Sequence, residues 1–269
     1  MTTSDIMKGK RGLIMGVAND HSIAWGIANT LSQHGAELAF TYQGDAFKKR
    51  VEPLAASVNS ELVLECDVSD ETSIDSVFSS IGSAWDSIDF IVHAIAYSDK
   101  EELTGRYVDT TLDNFLMTMQ ISCYSFTSVM RRAAPMMKEG GSALTLSYYG
   151  AEKAMPSYNI MGVAKAALES SVRYLAADLG PDNIRVNGIS AGPMRTLAGS
   201  AIGSARTTFK YNTLTAPLRR PVELDDLGGT GLYLLSDLSN SVTGEIHYVD
   251  CGFNAVGMPQ HSVLKDLAG

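Results

Sequence analysis

Residues 12–28 have the sequence GLIMGVANDHSIAWGIA, and this stretch decides the fold. An apolar run of β-forming residues ends at Gly16, a short polar turn follows, and helical apolar spacing resumes after Ser22. Glycine at a strand end permits a tight turn, and Gly26 would let the helix pack closely against the strand. The Ser22 hydroxyl and the first N–H groups of the helix could hold a pyrophosphate. A serine that merely caps the helix explains this segment alone nearly as well.

The same alternation of apolar run and helix continues along the chain. The predicted strands lie near residues 12–17, 37–42, 62–66, 90–96, 143–147, 184–190 and 246–249. Helical spacing is clearest over residues 22–34, 73–84, 112–137 and 154–179. Short runs buried on both faces, alternating with helices, indicate an α/β fold with a parallel sheet and helices on both faces. No linker-like stretch interrupts residues 1–269, so we expect a single domain.

Composition excludes several classes of function. Of the 269 residues, 45% are hydrophobic and 19% are charged, which predicts a sizeable core. The formal net charge of −9 disfavours a nucleic-acid partner. No apolar run is long enough for a secretory signal or a membrane span, so we expect a cytoplasmic protein without integral membrane association. Three scattered cysteines and five histidines without ligand spacing predict reduced core thiols and no metal site.

Residues 190–221 interrupt the alternation of strands and helices. A loop of this length in a compact domain is usually functional, and often a lid. Its apolar side chains, among them Leu197, Ile202, Phe209 and Leu214, could cover an apolar ligand. We therefore predict a substrate lid around residues 190–221, the alternative being a disordered insertion.

The strongest chemical motif is Tyr158-Asn-Ile-Met-Gly-Val-Ala-Lys165. Seven residues make nearly two helical turns, which would place both side chains on one helix face, about 10 Å apart along the axis. A nearby ammonium group stabilises a phenolate, so Lys165 is expected to lower the pKa of Tyr158 and make it a better proton donor. The alternative is that Tyr158 and Lys165 lie on an ordinary helix face without a catalytic role. The position of the motif after the fifth strand of a nucleotide-binding pattern disfavours this alternative.

Asp67 follows the third predicted strand. Nucleotides bind at the carboxyl ends of the strands in sheets of this kind, so its carboxylate could contact a nucleotide. Asp67 could instead cap the next helix, as could Asp70.

Taken together, four segments resemble the short-chain dehydrogenase/reductase family. The similarity is to the divergent branch that contains the bacterial NADH-dependent enoyl-acyl-carrier-protein reductases, and it runs roughly from Lys10 to Val256. The segments are residues 16–26, 147–152, 158–165 and 185–196. This resemblance implies a single-domain, Rossmann-type, doubly wound parallel sheet of about seven strands.

The resemblance also implies a site and a reaction. Tyr158 and Lys165 match the catalytic pair, and Tyr148 matches a second active-site tyrosine. The implied cofactor-binding residues are Gly16, Ser22, Ile23, Gln43, Asp67, Val68, Ile95, Lys165, Met194 and Thr196. The implied substrate-binding residues are Ala96, Ser98, Tyr148 and Tyr158. The implied activity is reduction of the trans-2 double bond of an enoyl thioester on acyl carrier protein, with NADH as cofactor, by a homotetramer.

Two other functions stay open at this point. A 3-ketoacyl (ketone/alcohol) reductase of the same superfamily would need a serine about a dozen residues before the tyrosine, and Ser147 and Thr145 fall near that spacing. A non-catalytic nucleotide-binding regulator could also use this fold. Residues 93–96, His-Ala-Ile-Ala, replace the Asn-Asn-Ala-Gly that is usual in the superfamily.

Two clusters of basic residues bear on the ligands. Lys48, Lys49 and Arg50 follow Asp45 and could favour NADPH, although a solvated helix face explains them better. Between Asp182 and Glu223 there is no acidic residue. The basic residues of that interval are Arg185, Arg195, Arg206, Lys210, Arg219 and Arg220. We interpret them as a surface that attracts the acidic carrier protein, while subunit contacts or cofactor phosphates are the alternative uses.

Overall fold

The computed structural model describes residues 5–197 and 205–263. Seven strands form one sheet in the order β3-β2-β1-β4-β5-β6-β7, and every neighbouring pair is parallel. The strands are β1 (Arg11–Met15), β2 (Glu37–Tyr42), β3 (Leu62–Glu65), β4 (Phe90–His93), β5 (Gly141–Ser147), β6 (Ile184–Ala191) and β7 (Ile246–Val249). This confirms the predicted doubly wound α/β sheet.

The α-helices of the described residues cover both faces of the sheet. They are α1 (Ile23–Gln33), α2 (Gly44–Ser57), α3 (Glu71–Ala84), α4 (Leu112–Met119), α5 (Ser125–Ala133), α6 (Asn159–Leu179), α7 (Ala205–Thr215) and α8 (Leu224–Leu235). Buried side chains of α3, α5 and α6 form a core on one face, and those of α1, α2 and α8 form a second core on the other. Within residues 5–197 and 205–263, no helix is long and apolar enough to cross a membrane.

The single helix predicted over residues 112–137 is wrong in detail. A π-helical turn, Gln120–Tyr124, separates α4 from α5, and Pro135 lies in a final 3₁₀ turn. Ser122 in the π-helical turn exchanges hydrogen bonds with the backbone of Tyr97, at 2.9 Å from N–H and 3.0 Å to C=O. Such turns occur mostly as single-turn insertions inside α-helices, and this one is held by its contact with Tyr97, which the local sequence pattern does not contain.

The helix predicted over residues 154–179 begins later than expected. Its first residue is Asn159, and Tyr158 is the N-cap. Ser157 (φ +56°) and Asn159 (φ +30°) have left-handed backbone, so regular helix cannot extend back through them. Tyr158 therefore precedes the helix that carries Lys165 instead of lying on it.

The predicted lid contains helix α7, which was not expected there. The helix carries Phe209, and the Arg195 guanidinium carbon lies 4.8 Å from the centroid of its ring. Tyr211 on the same helix packs edge-on against Phe253, with centroids 6.0 Å apart. No glycine or proline interrupts Ala205–Thr215, which is why a helix forms there. Residues 198–204, including the predicted apolar residue Ile202, lie outside the described residues.

Gly26 serves a different contact from the predicted one. A Cβ on Gly26 would lie 3.1 Å from Leu224 of α8, so this glycine permits helix–helix packing instead of helix–strand packing. On the facing helix, a Cβ on Gly228 would lie 2.1 Å from Thr30 Oγ1. Helices α1 and α8 therefore approach more closely than residues with side chains would allow.

Candidate active site

The parallel strands bring the predicted site residues to one edge of the sheet. Because all strands run the same way, their carboxyl ends lie together there. The predicted residues that follow these ends are Gly16 after β1, Gln43 after β2, Asp67 and Val68 after β3, Ile95, Ala96 and Ser98 after β4, Tyr148 after β5, and Met194 and Thr196 after β6. The chain returns from β3 to place β4 beside β1, so the strand order reverses between β1 and β4, and nucleotides bind at such a crossover in these folds.

Gly16 lies at this crossover and leaves no room for a side chain. Its φ is +98°, and a Cβ would come within 2.1 Å of the Ala94 carbonyl oxygen beyond β4. Only glycine satisfies both conditions. The close approach of the two strand ends provides the narrow turn that a pyrophosphate-binding loop needs.

Ser22 is the N-cap residue of α1, but its side chain shapes the turn before the helix. Its hydroxyl accepts hydrogen bonds from the N–H groups of Ala18 (3.0 Å) and Asn19 (3.1 Å) and makes no side-chain bond to α1. The capping alternative is therefore right for the position of Ser22 and wrong for its hydroxyl. The first turn of α1 also contains no acidic residue. Its N–H groups and its dipole consequently fit an anionic phosphate, and Ile23, half-buried, is the first residue of that turn.

Asp67 and Gln43 meet beyond β2 and β3. Asp67 accepts hydrogen bonds from the Ser69 hydroxyl (2.6 Å) and N–H (2.9 Å). These bonds, with a smaller contribution from the Gln43 side chain, lower the pKa of the Asp67 carboxyl, although partial burial opposes them. Asp70 caps α3 by accepting from Thr72 N–H at 2.9 Å. Asp67 is thus left as a charged hydrogen-bond acceptor at the carboxyl edge of the sheet, while Val68 is buried in the core.

Tyr158 is held by strained backbone on both sides. The left-handed conformations of Ser157 and Asn159 are costly for residues other than glycine. The Asn159 side-chain amide donates to the Glu102 carbonyl at 3.1 Å, which fixes this conformation. The Tyr158 carbonyl accepts from Gly162 N–H at 3.3 Å and so starts α6.

The rings of Tyr148 and Tyr158 pack edge to face. Their centroids lie 5.0 Å apart and their planes are inclined by 74°. Tyr158 is only 7% exposed, and this burial raises the pKa of its phenol above the ordinary value. The nearby Tyr148 and Glu169 raise the pKa further. Burial also raises the pKa of Tyr148 to about 12. Both phenols keep their protons at neutral pH and can donate hydrogen bonds to a substrate oxygen.

Lys165 does not have the predicted effect on Tyr158 in the free protein. Its ammonium group donates to the Leu146 carbonyl at 2.7 Å, and burial lowers the pKa of Lys165 to about 8. The expected lowering of the Tyr158 pKa is wrong, because burial of the phenol, with Tyr148 and Glu169 nearby, raises it. Lys165 instead holds a buried positive charge against the end of β5, one turn before the buried carboxyl of Glu169 on α6.

The two hydroxyls that could have served a ketone reductase are already engaged. Ser147 Oγ donates to Glu169 Oε1 at 2.5 Å, and Thr145 Oγ1 donates to the His93 carbonyl at 3.0 Å. The His93 ring is buried, with Nε2 2.9 Å from Ser125 Oγ, and burial lowers its pKa to about 3. Neither hydroxyl is left to hold a substrate carbonyl, and His93 is neutral.

The remaining residues that were predicted to contact the cofactor or the substrate follow the end of β4. Ile95 is half-buried and Ala96 is exposed. The Ser98 hydroxyl is buried and belongs to a network in which it accepts from Thr118 (2.9 Å) and lies 3.3 Å from Asn114 Oδ1. The substrate-binding role of Ser98 stays a prediction, and this network occupies its hydroxyl.

Several side chains of the basic cluster of residues 185–220 are engaged within the protein, which leaves fewer to attract an acidic carrier than predicted. Arg185 is turned inward and donates to the carbonyls of Val242 and Ser236, and Arg220 pairs with Asp226 at 2.6 Å. Arg219 donates to the Leu214 carbonyl. Arg206 and Lys210, both on α7 and exposed, have no acidic partner among the described residues.

Sequence reasoning missed three residues that shape this site. Glu169 is a buried acid on an apolar helix face, one turn beyond Lys165, and that position was a usable signal. Gly150 lies against the ring of Tyr158, where a Cβ would come within 2.4 Å of Cδ1. Asn159 holds the strained turn, and nothing in the local pattern distinguished it.

No group of three or more His, Cys, Asp or Glu residues is arranged to hold a metal ion within the part of the chain that the structure describes. Cys66 and Cys123 are free thiols in the core, as predicted, whereas Cys251 is a free thiol that is only half-buried.

Comparison with known proteins agrees with this geometry. The family model described as enoyl-(acyl carrier protein) reductase matches residues 16–254. A Rhizobium meliloti protein named enoyl-[acyl-carrier-protein] reductase [NADH] 1 is 61% identical over 268 residues, 98% of each chain. The crystal structure of FabI from Candidatus Liberibacter asiaticus superposes with a TM-score of 0.94 at 55% identity, covering 96% of this chain and all of that one. The Anaplasma phagocytophilum enoyl-(acyl-carrier-protein) reductase in complex with NAD gives a TM-score of 0.93 at 58% identity, covering 97% and 99%.

Proposed function

The chain belongs to the enoyl-acyl-carrier-protein reductase family, and we propose that it reduces the trans-2 double bond of enoyl thioesters on acyl carrier protein. This is the last step of each fatty-acid elongation cycle. The observation that carries the proposal is the pair of protonated phenols at the carboxyl edge of the sheet, Tyr158 buried and Tyr148 half-buried, with the Lys165 ammonium group bound to the end of the strand that precedes Tyr148.

The residues at this edge fit NADH. The turn at Gly16 and the uncapped start of α1 suit the pyrophosphate, and Asp67 with Gln43 suits the adenosine end. Lys48 lies near the Tyr42 ring and Glu52, which favours the helix-face interpretation over recognition of a 2′-phosphate. When bound, the nicotinamide supplies the hydride for the substrate β-carbon.

Tyr158 stabilises the charge that develops on the substrate. As the β-carbon is reduced, negative charge collects on the thioester oxygen as an enolate. The protonated Tyr158 phenol donates a hydrogen bond to that oxygen, and the Tyr148 ring helps to hold Tyr158 in place. Lys165 adds positive potential and orients the cofactor ribose. A proton reaching the α-carbon, through Tyr158 or water, completes the reduction.

We also propose that residues 190–221 form a lid over the substrate. Helix α7, held by the Tyr211–Phe253 contact, covers the acyl chain. Hydrogen exchange across residues 205–214 should slow when NADH and a substrate-like inhibitor bind together, whereas unchanged exchange would contradict a lid.

We also propose a cytoplasmic homotetramer. Its exposed apolar side chains Leu112, Leu116 and Tyr174 suit subunit contacts, and light scattering would measure its mass.

Cofactor oxidation with two substrates tests the reaction. Crotonyl thioester and acetoacetyl thioester are each offered with NADH and with NADPH. We expect oxidation of NADH with the crotonyl substrate and little with the acetoacetyl substrate. Robust oxidation with acetoacetyl thioester and none with crotonyl thioester would identify a ketone reductase, and no turnover with either would favour a nucleotide-binding regulator.

A further inference from the structure

Two side chains on α6 hold two successive residues at the end of β5. The Lys165 ammonium group donates to the Leu146 carbonyl at 2.7 Å, and the Ser147 hydroxyl donates to the Glu169 carboxyl at 2.5 Å. Lys165 and Glu169 lie one helical turn apart, and each is only 7% exposed. The strand end is therefore bound to α6 at two adjacent points, once through its backbone and once through a side chain.

This double attachment determines where Tyr148 lies. Tyr148 directly follows Ser147 in extended conformation (φ −149°, ψ 151°), so the orientation of its ring depends on the position of the Ser147 peptide. The Tyr148 ring meets Tyr158 edge to face, and Tyr158 is the N-cap residue of α6. A single helix thus starts directly after Tyr158 and fixes the strand end that carries Tyr148.

Glu169 is an unexpected residue for this place. It lies on the buried face of α6, where burying a carboxyl group is costly unless the group is hydrogen-bonded. Ser147 provides that hydrogen bond, and Arg173 and Lys165 provide opposite charges one turn away on either side, although the nearby Glu152 opposes them. An apolar side chain would fill the same space without this cost. The position of Glu169 therefore points to a task beyond packing.

We propose that Glu169 is a positioning residue for enoyl reduction. Through Ser147 it fixes the end of β5, which places the Leu146 carbonyl against Lys165 and the Tyr148 ring against Tyr158. This inference rests on the proposed function.

Matched variants separate positioning from stability. Ser147→Ala, Glu169→Ala and the double variant remove the contact, and Glu169→Gln keeps an acceptor oxygen for Ser147. Ser142→Ala is the control, because the hydroxyl of Ser142 is also buried on β5 and donates to the Leu234 carbonyl at 2.9 Å, but at the opposite end of the strand. For each variant, kcat and KM with crotonyl-coenzyme A, the Kd for NADH and the midpoint of thermal unfolding are measured.

We expect Ser147→Ala and Glu169→Ala to lower kcat by about tenfold to a hundredfold, because displaced reacting groups lose the productive geometry. KM for the thioester should change little. Glu169→Gln should keep most of the activity, and the double variant should be no worse than Ser147→Ala, because both substitutions break one contact. Ser142→Ala should lower the unfolding midpoint as much as Ser147→Ala does and leave kcat unchanged.

Any of three results would overturn the positioning role. The first is an equal kcat in Ser147→Ala and Ser142→Ala, and the second is a double variant in which the two single effects on kcat multiply. The third is a Glu169→Gln variant that loses as much activity as Glu169→Ala. Failure of the wild-type protein to reduce crotonyl-coenzyme A would overturn the proposed function and, with it, this inference.

Discussion

Gly150 lies directly against the ring of Tyr158, so closely that a methyl group on its Cα would come within 2.4 Å of Tyr158 Cδ1. The same methyl group would lie 3.2 Å from the ring of Tyr148. The absence of a side chain at this one position thus defines where both phenols can be.

Gly150→Ala should displace Tyr158 and lower kcat by about a hundredfold, because a shift of about 1 Å in a reacting group can cost that much. NADH binding should persist, since Gly150 is not among the predicted cofactor-binding residues. Gly229→Ala is the control, because a Cβ there meets nothing within 4 Å. Steady-state kinetics and an NADH titration test both variants, and full activity in Gly150→Ala would contradict the steric argument.

Tyr158→Phe should lower kcat for crotonyl-thioester reduction by about 10²–10³-fold, the usual cost of losing one oxyanion donor. The Kd for NADH should stay close to that of the wild type. Tyr148→Phe keeps the edge-to-face ring contact and should lose less. If Tyr148→Phe lost more kcat than Tyr158→Phe, the two tyrosines would have to exchange roles.

Lys165→Met should weaken NADH binding, because the cofactor ribose loses its ammonium partner. The same substitution should stabilise the free protein near neutral pH. Burial lowers the pKa of Lys165 to about 8 from an ordinary value of 10.5, so the wild type carries the cost of a buried charge below about pH 8.

Above that pH the folded chain releases the proton while the unfolded chain keeps it, so the stability of the wild type rises between about pH 8 and pH 10 relative to that of Lys165→Met. The advantage of the variant should therefore shrink over this range in urea unfolding. Lys153→Met, at an exposed position, is the control and should show no such change. An advantage that grew with pH would contradict the assigned pKa direction.

Arg206→Glu and Lys210→Glu should raise KM for the carrier-bound enoyl substrate by about tenfold, because α7 would then repel an acidic carrier. KM for the coenzyme A thioester should be unaffected. Lys138→Glu, near the start of β5 at the opposite edge of the sheet, is the charge-matched control. Equal effects on both substrates would rule out carrier docking at α7.

The sheet and the edge that carries the candidate site could be predicted from the sequence because the inner strands are apolar runs buried on both faces, although the edge strands β3 and β7 are only partly buried. Tyr158, Lys165 and Asp67 could be singled out as candidates because their residue types and their places after strands carry a chemical meaning. The spacing could not show the inserted π-helical turn or the strained turn before α6, since both depend on contacts with residues far away in the chain, such as Tyr97 and Glu102.

The pKa of Tyr158 was mispredicted for a related reason. Sequence spacing gives the separation of two charges along a helix, but it does not give the burial of either one. Here burial dominates, and the ammonium group is directed to the Leu146 carbonyl. Arg185 was included in the basic surface for the same reason, although its guanidinium is turned to the carbonyls of Val242 and Ser236, more than 50 residues away in the sequence.

The contact between α1 and α8 also constrains how the chain is made. Gly26 meets its partners Leu224 and Gly228 only about 200 residues later in the sequence. On a ribosome that adds about 5–20 residues per second, the surface of α1 that packs against α8 stays uncovered for roughly 10–40 seconds after its synthesis. The nascent chain therefore exposes Gly26, Ile27 and Thr30 until translation is nearly complete, so the second core can close only at the end of synthesis.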